Sequence, residues 1–163
     1  MIALKVAGIQ RDSITNGIGI RDVLFLQGCP HQCKGCHNPS TWDFHGGTEY
    51  SIKRLIDVFS DSDNDITISG GEPLHQFEDD LWFFMRDINE KQGKRFWLYT
   101  GYKYEQIPTF MLAMLSEYVD VLVDGRYIES KRDFNLRFRG SSNQRLIDLP
   151  KSIEQNKIVL WEG

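Results

Sequence analysis

Apolar positions fall into two rhythms along the chain: short unbroken runs that stop at glycine, and longer stretches where they recur every three to four residues. Val23 to Leu26 is a run ending at Gly28 and a cysteine, the pattern of a buried strand that delivers a loop at its C-terminal end. Ser51 can cap a helix in which Ile52, Leu55, Ile56 and Phe59 share one face. Ile66 to Ser69 predicts a strand stopped by Gly70 and Gly71. A second helix is expected next, with Glu78, Asp79 and Asp80 in its early turns and Leu81, Phe84, Met85 and Ile88 on one face. Arg95 to Thr100 predicts a third strand. A third helix starts near Pro108 and presents Met111, Met114, Leu115 and Tyr118, Val119 to Val123 is another strand, and Lys157 to Trp161 a last one.

Strands alternating with helices imply βαβ units and a parallel sheet, whose strand-end loops converge at one end. A complete eight-unit barrel takes about 250 residues, so a chain of 163 has room for about five to six units. The expected fold is therefore α/β, an open partial (βα) barrel of five to six parallel strands, formed as a single domain over residues 1–163.

Composition narrows the partners. The chain is 40% hydrophobic and 26% charged, the balance of one globular domain. Its 19 basic and 23 acidic residues leave a net charge of −4, which gives no electrostatic footprint for nucleic acid or an anionic membrane. No apolar stretch approaches the ~20 residues of a membrane span and the N-terminus lacks a signal-peptide core, so a cytoplasmic location is expected.

The chemistry begins at the cysteines. Cys29, Cys33 and Cys36 are the only three in the chain, spaced C-x3-C-x2-C, and an odd, tightly grouped set speaks against disulfides and for a metal. Two metals suit them. Zinc would take the three thiolates with one of His31, His37 or His45, whereas a [4Fe–4S] cluster would leave one iron open for a substrate. Gly-Gly-Glu-Pro at 70 to 73 follows the next strand. Alone it is an ordinary turn, but its glycines would let a ligand approach backbone carbonyls that can accept from an ammonium group, and Glu72 adds negative charge. The Met111 and Met114 pair has helical spacing and is read as core filling.

Together, the cysteine loop and the Gly-Gly-Glu-Pro turn resemble the radical S-adenosylmethionine superfamily. The stretches GCPHQCKGCHNPSTWDFHGG, SGGEPL, WLYTGY, YVDVLVDGRY and RGSSNQR narrow the resemblance to the activating enzymes of anaerobic (class III) ribonucleotide reductase. It implies that Cys29, Cys33 and Cys36 hold a [4Fe–4S] cluster whose open iron S-adenosylmethionine chelates. It further implies that Gly35 and His37 lie against S-adenosylmethionine, beside Cys36, with Gly70, Gly71 and Glu72 near its methionyl amino group. Many superfamily members carry an aromatic where this chain has Gly35, and the reductase activators often have glycine there.

By the same similarity Thr100 and Gly101 contact the ligand's ribose or methionyl part, and Asp124 and Arg126 make polar contacts in the same mouth. Trp97 reads equally as a buried aromatic at a strand end. Six basic residues, Arg126, Lys131, Arg132, Arg137, Arg139 and Arg145, crowd the following segment; most read as a solvated face, while some would dock a macromolecular partner. Ser141, Ser142 and Asn143 match the family pattern.

The implied activity is that of a radical enzyme. A reduced cluster cleaves S-adenosylmethionine to methionine and a 5′-deoxyadenosyl radical, which takes a hydrogen atom from a glycine of the reductase catalytic subunit and leaves a glycyl radical. Hydrogen-atom abstraction requires no general base, so no catalytic residues are expected beyond the cluster and S-adenosylmethionine ligands. A low-potential electron donor such as flavodoxin is the second implied partner. The alternatives are an activase of another glycyl-radical enzyme of the formate-lyase type and a non-catalytic zinc-binding module. Extra cysteines of the kind some longer activases carry are absent from this chain, which favours the reductase.

Overall fold

A computed structural model describes residues 3–163, apart from the side chains of Glu78 and Asp79. Seven strands form one sheet: β1 (Ala3–Ser13), β2 (Arg21–Leu26), β3 (Thr48–Ser51), β4 (Asp65–Gly70), β5 (Phe96–Tyr99), β6 (Val119–Asp124) and β7 (Arg145–Asp148), in the order β3-β1-β2-β4-β5-β6-β7. The central run β2-β4-β5-β6 is parallel, and β1, β3 and β7 pair antiparallel at the flanks. Thus only four strands are joined by parallel pairing, fewer than the five to six expected. The cause is the connections. Only seven residues join β1 to β2, too few for a crossover, and β6 returns to β7 through a long loop without an α-helix.

Among the described residues, four α-helices accompany the sheet: α1 (Ile52–Ser60), α2 (Trp82–Gln92), α3 (Thr109–Leu115) and α4 (Leu149–Gln155). Ser51 caps α1 by accepting from the Arg54 amide at 3.1 Å, and Ile52, Leu55, Ile56 and Phe59 are buried, as the spacing predicts. The predicted second helix begins later than its apolar pattern suggests. A 3-10 turn at Pro73–Gln76 and a π-helical turn at Phe77–Leu81 come first, where Asp80 accepts from the Ala3 amide at 2.9 Å. Of the three acidic residues expected at this helix start, the side chains of Glu78 and Asp79 lie outside the described residues. Lys157 to Trp161 does not form a full strand. It runs beside β7 with a single bridge at Leu160, held by the Asp148 amide to Val159 O and the Trp161 amide to Leu146 O.

Period-two alternation sorts the strands onto two faces. Leu24, Leu26, Ile66, Ile68, Phe96, Leu98 and Leu122 enter the large core beneath α1, α2 and α3, where Met111 and partly buried Met114 also pack. Their neighbours point to the opposite face. There Trp97, Val121, Val123 and Leu146 pack with Phe138 and Trp161 in a smaller cluster, and Phe25, Ser69 and Tyr99 border a cleft. Trp97 is thus a buried aromatic.

Candidate iron–sulfur site

A cleft of about 760 Å³ opens on that second face, at the C-terminal ends of the parallel strands. Cys29, Cys33 and Cys36 all line it, each partly exposed as a free thiol. Burial raises the Cys29 and Cys33 thiols above their ordinary pKa. The loop is anchored by main-chain bonds, from the Gly28 amide to Thr41 O at 2.7 Å and from the Cys29 amide to Trp42 O at 3.2 Å.

Gly70 and Gly71 face the same cleft from the end of β4. Gly70 has φ +98°, a conformation that side chains disfavour. Gly71 runs so close to the cysteine strand that a Cβ would lie 2.3 Å from Gly28 O. The Glu72 amide donates to that same carbonyl at 2.8 Å, so the two strand ends share backbone bonds.

Glu72 itself turns away from the cleft. Its fully buried carboxylate accepts from Thr100 Oγ1 at 2.8 and 2.9 Å, from the Gly101 amide at 2.8 Å, from the Leu74 amide at 3.1 Å and from His31 Nε2 at 2.6 Å. Asp124 is similarly occupied: it pairs with Arg145 and accepts from the Tyr104 amide at 2.7 Å. Hydrogen bonding to Asp124 raises the Arg145 pKa above the ordinary guanidinium value. Gly35 abuts Glu129 rather than bordering the cleft. His37, Thr100, Gly101 and Arg126 do border it, and His37 stands 5.3 Å from the Tyr127 ring.

Residues 15–147 match the family model described as a 4Fe-4S single cluster domain. The chain is 39% identical over 139 residues to the anaerobic ribonucleoside-triphosphate reductase-activating protein of Haemophilus influenzae, covering 80% of this chain and 89% of that protein. With the protein of the same name from Escherichia coli K12 it shares 38% over 140 residues, covering 80% and 90%, and with that of Enterobacteria phage T4 it shares 41% over 137, covering 80% and 85%. The chain belongs to the anaerobic ribonucleoside-triphosphate reductase-activating protein family.

The donor set in this member of the family fits a cluster. Thiolates suit iron–sulfur chemistry, and each thiolate takes its own iron, so the three need not converge on one point. Among the described residues no three His, Cys, Asp or Glu side chains form a group able to hold a single metal ion. Of the histidines that could complete a zinc site, His31 is bonded to Glu72, His45 lies outside the cleft, and His37, which borders it, forms no such group with the cysteines among the described residues. Two buried donors of cleft-lining residues, Trp42 Nε1 and Arg139 Nε, have no partner among the described residues, the condition expected of a wall built to meet a polar ligand.

Several wall residues escaped sequence reasoning. Tyr99 borders the cleft, donates to Phe138 O at 2.5 Å and is held protonated by burial, which raises its pKa. Alternation along β5 could have found it, opposite Leu98. Trp42 sits on a loop, where no periodicity tells which way a side chain points, and so does Arg139, which the sequence placed in a basic segment but not on the cleft wall. The serine–asparagine segment acquires a role: Ser141 Oγ accepts from the Ile128 amide and Asn143 Nδ2 donates to Arg126 O, folding the loop that carries Arg126. Among the described residues no helix is long and apolar enough to cross a membrane.

Proposed function

We propose that this chain is a radical S-adenosylmethionine enzyme that activates the catalytic subunit of an anaerobic ribonucleotide reductase. One observation carries the reading: three thiols from one loop and the Gly70–Gly71 turn open onto a single cleft, in a member of the reductase-activating family. On this reading the sheet is a partial barrel belonging to one domain over residues 1–163, and the protein works in the reducing cytoplasm.

A cluster bound here would supply the one electron for reductive cleavage of S-adenosylmethionine to methionine and a 5′-deoxyadenosyl radical, which would take a hydrogen atom from a glycine Cα of the reductase. The chain's own residues bind and orient. Cys29, Cys33 and Cys36 would hold the cluster, whose three-thiolate ligand set would leave an iron open to the substrate. Gly70 and Gly71 bring main-chain carbonyls up to the methionyl ammonium, in a turn pressed so closely on the Leu26 and Gly28 backbone that a side chain would force it away. Arg126 offers its guanidinium to the ligand carboxylate, and His37, Thr100 and Gly101 flank the ligand. Glu72, Asp124 and Gly35 act one step back by holding these walls. Arg126, Arg137 and Arg139 on the cleft border, with exposed Lys131 and Arg132, offer a basic rim to an acidic surface of the reductase around its glycine loop. Electrons come from a low-potential donor such as flavodoxin.

The test is anaerobic reconstitution with iron and sulfide, then addition of S-adenosylmethionine, reductant and a class III reductase subunit. A glycyl-radical doublet by electron paramagnetic resonance is expected. Deoxyadenosine without a doublet would keep the chemistry and reject the partner, pointing to another glycyl-radical enzyme. Replacing Cys29, Cys33 or Cys36 by alanine should abolish deoxyadenosine formation while leaving the protein folded; cleavage retained in all three variants overturns the cluster assignment.

A further inference from the structure

His31 stands between two metal-ligand cysteines on the cleft wall, yet its ring is almost wholly buried and bonded to Glu72. Its side chain is 4% exposed, and Nε2–H donates to Glu72 Oε1 at 2.6 Å across 41 residues of sequence. The socket is closely shaped. Gly101 packs so tightly on the ring that a Cβ there would lie 2.4 Å from His31 Cδ2, and Tyr102 meets the ring edge-on at 4.7 Å. Glu72 cannot serve the cleft as well, because Thr100, Gly101 and Leu74 donate to the same carboxylate.

We propose that His31 is a positioning residue: it clasps the cysteine loop to the Gly-Gly-Glu-Pro turn and to the end of β5, fixing the spacing between the metal ligands and the substrate-binding turn. The backbone bonds at Gly28 secure only the root of the cysteine loop. His31 fastens it farther out, between Cys29 and Cys33. A substrate that must reach both an open iron and the Gly70–Gly71 backbone depends on that spacing, since a shift of an ångström at a reacting centre is costly. The choice of ligand rests on the function proposed above; the clasp itself does not.

Two measurements separate them. In the metal-free protein, His31→Ala should speed hydrogen exchange by about tenfold or more at the Cys36 amide on the loop and also at the Leu74 and Gly101 amides, which donate to Glu72. His31→Gln, whose amide can still donate to Glu72, should restore slow exchange. Faster exchange confined to the loop overturns the clasp. In anaerobically reconstituted protein, His31→Ala should keep the wild-type iron content but bind S-adenosylmethionine about tenfold more weakly, with His31→Gln recovering much of the loss. Unchanged affinity, or failure to take up iron, overturns the positioning role. Faster exchange at all three amides in His31→Ala, alongside a reconstituted wild type that does not bind S-adenosylmethionine, would sustain the clasp and reject the proposed function instead.

Discussion

Glu72 and Asp124 are two buried carboxylates that close neighbouring parts of the same sheet, and they are satisfied in different ways. Glu72, just beyond β4, gathers a histidine, a threonine hydroxyl and two backbone amides from three separate segments. Asp124, at the end of β6, takes a guanidinium from its antiparallel partner Arg145, with one amide from Tyr104. The first ties together loops that border the cleft without any lysine or arginine. The second locks the β6–β7 edge, and its cation is itself 32% exposed and shared with Glu105. A carboxylate at a strand end is therefore not automatically a ligand group; what its neighbours donate decides its work.

The sharpest way to break the comparison is Glu72→Ala. It strands several buried donors at once, so a loss of about 3–5 kcal/mol in unfolding free energy is expected, together with loss of S-adenosylmethionine cleavage. Denaturation of the metal-free protein and deoxyadenosine assays check the two parts. Asp124→Ala should cost less, about 2–3 kcal/mol, because Arg145 keeps Glu105 and reaches water. If Asp124 holds the wall without touching the ligand, the KM for S-adenosylmethionine should move by less than about threefold. A tenfold rise would return Asp124 to the binding groups.

Gly101→Ala sharpens the comparison from the Glu72 side. The added methyl meets the His31 ring, so a cost of about 1–3 kcal/mol is expected, with weaker substrate binding, measured by denaturation and equilibrium dialysis. The smallest effect lies at Glu105, whose carboxyl pKa is lowered chiefly by its hydrogen bond from Arg145. A lowered carboxyl pKa stabilises above the group's ordinary value, and that stability disappears as pH falls through the folded value. The pair is largely exposed and screened, so Glu105→Gln should cost only about 0.5 kcal/mol at pH 7. The difference from the wild type should shrink as pH falls below the ordinary carboxyl range, and vanish once Glu105 is protonated in the folded chain as well as the unfolded one.

Local signals predicted the elements best where burial was one-sided and periodic. The α1 face and strands β2, β4, β5 and β6 follow from apolar spacing, because a residue's face depends only on its neighbours in sequence. The long β1 and the short β3 escaped, since their pattern is mixed and their partners are distant strands. Within the site, the cysteines and the glycine pair were visible as motifs. That they share a cleft required the parallel pairing of β2 with β4, which brings Leu26 opposite Gly70.

The sequence by itself determined the donor chemistry and the family. Three thiols in eight residues, and glycines where a backbone must come close, are statements about residue type and short spacing. Only the tertiary structure decided which polar groups face the cleft. Glu72 and Asp124 were expected there and are turned inward, whereas Tyr99 and Trp42 were unassigned, Arg139 was read only as one of a basic segment, and all three form its wall. A buried carboxylate goes where its donors are, and those donors come from segments tens of residues away. Side-chain direction on a loop is a property of the packed molecule.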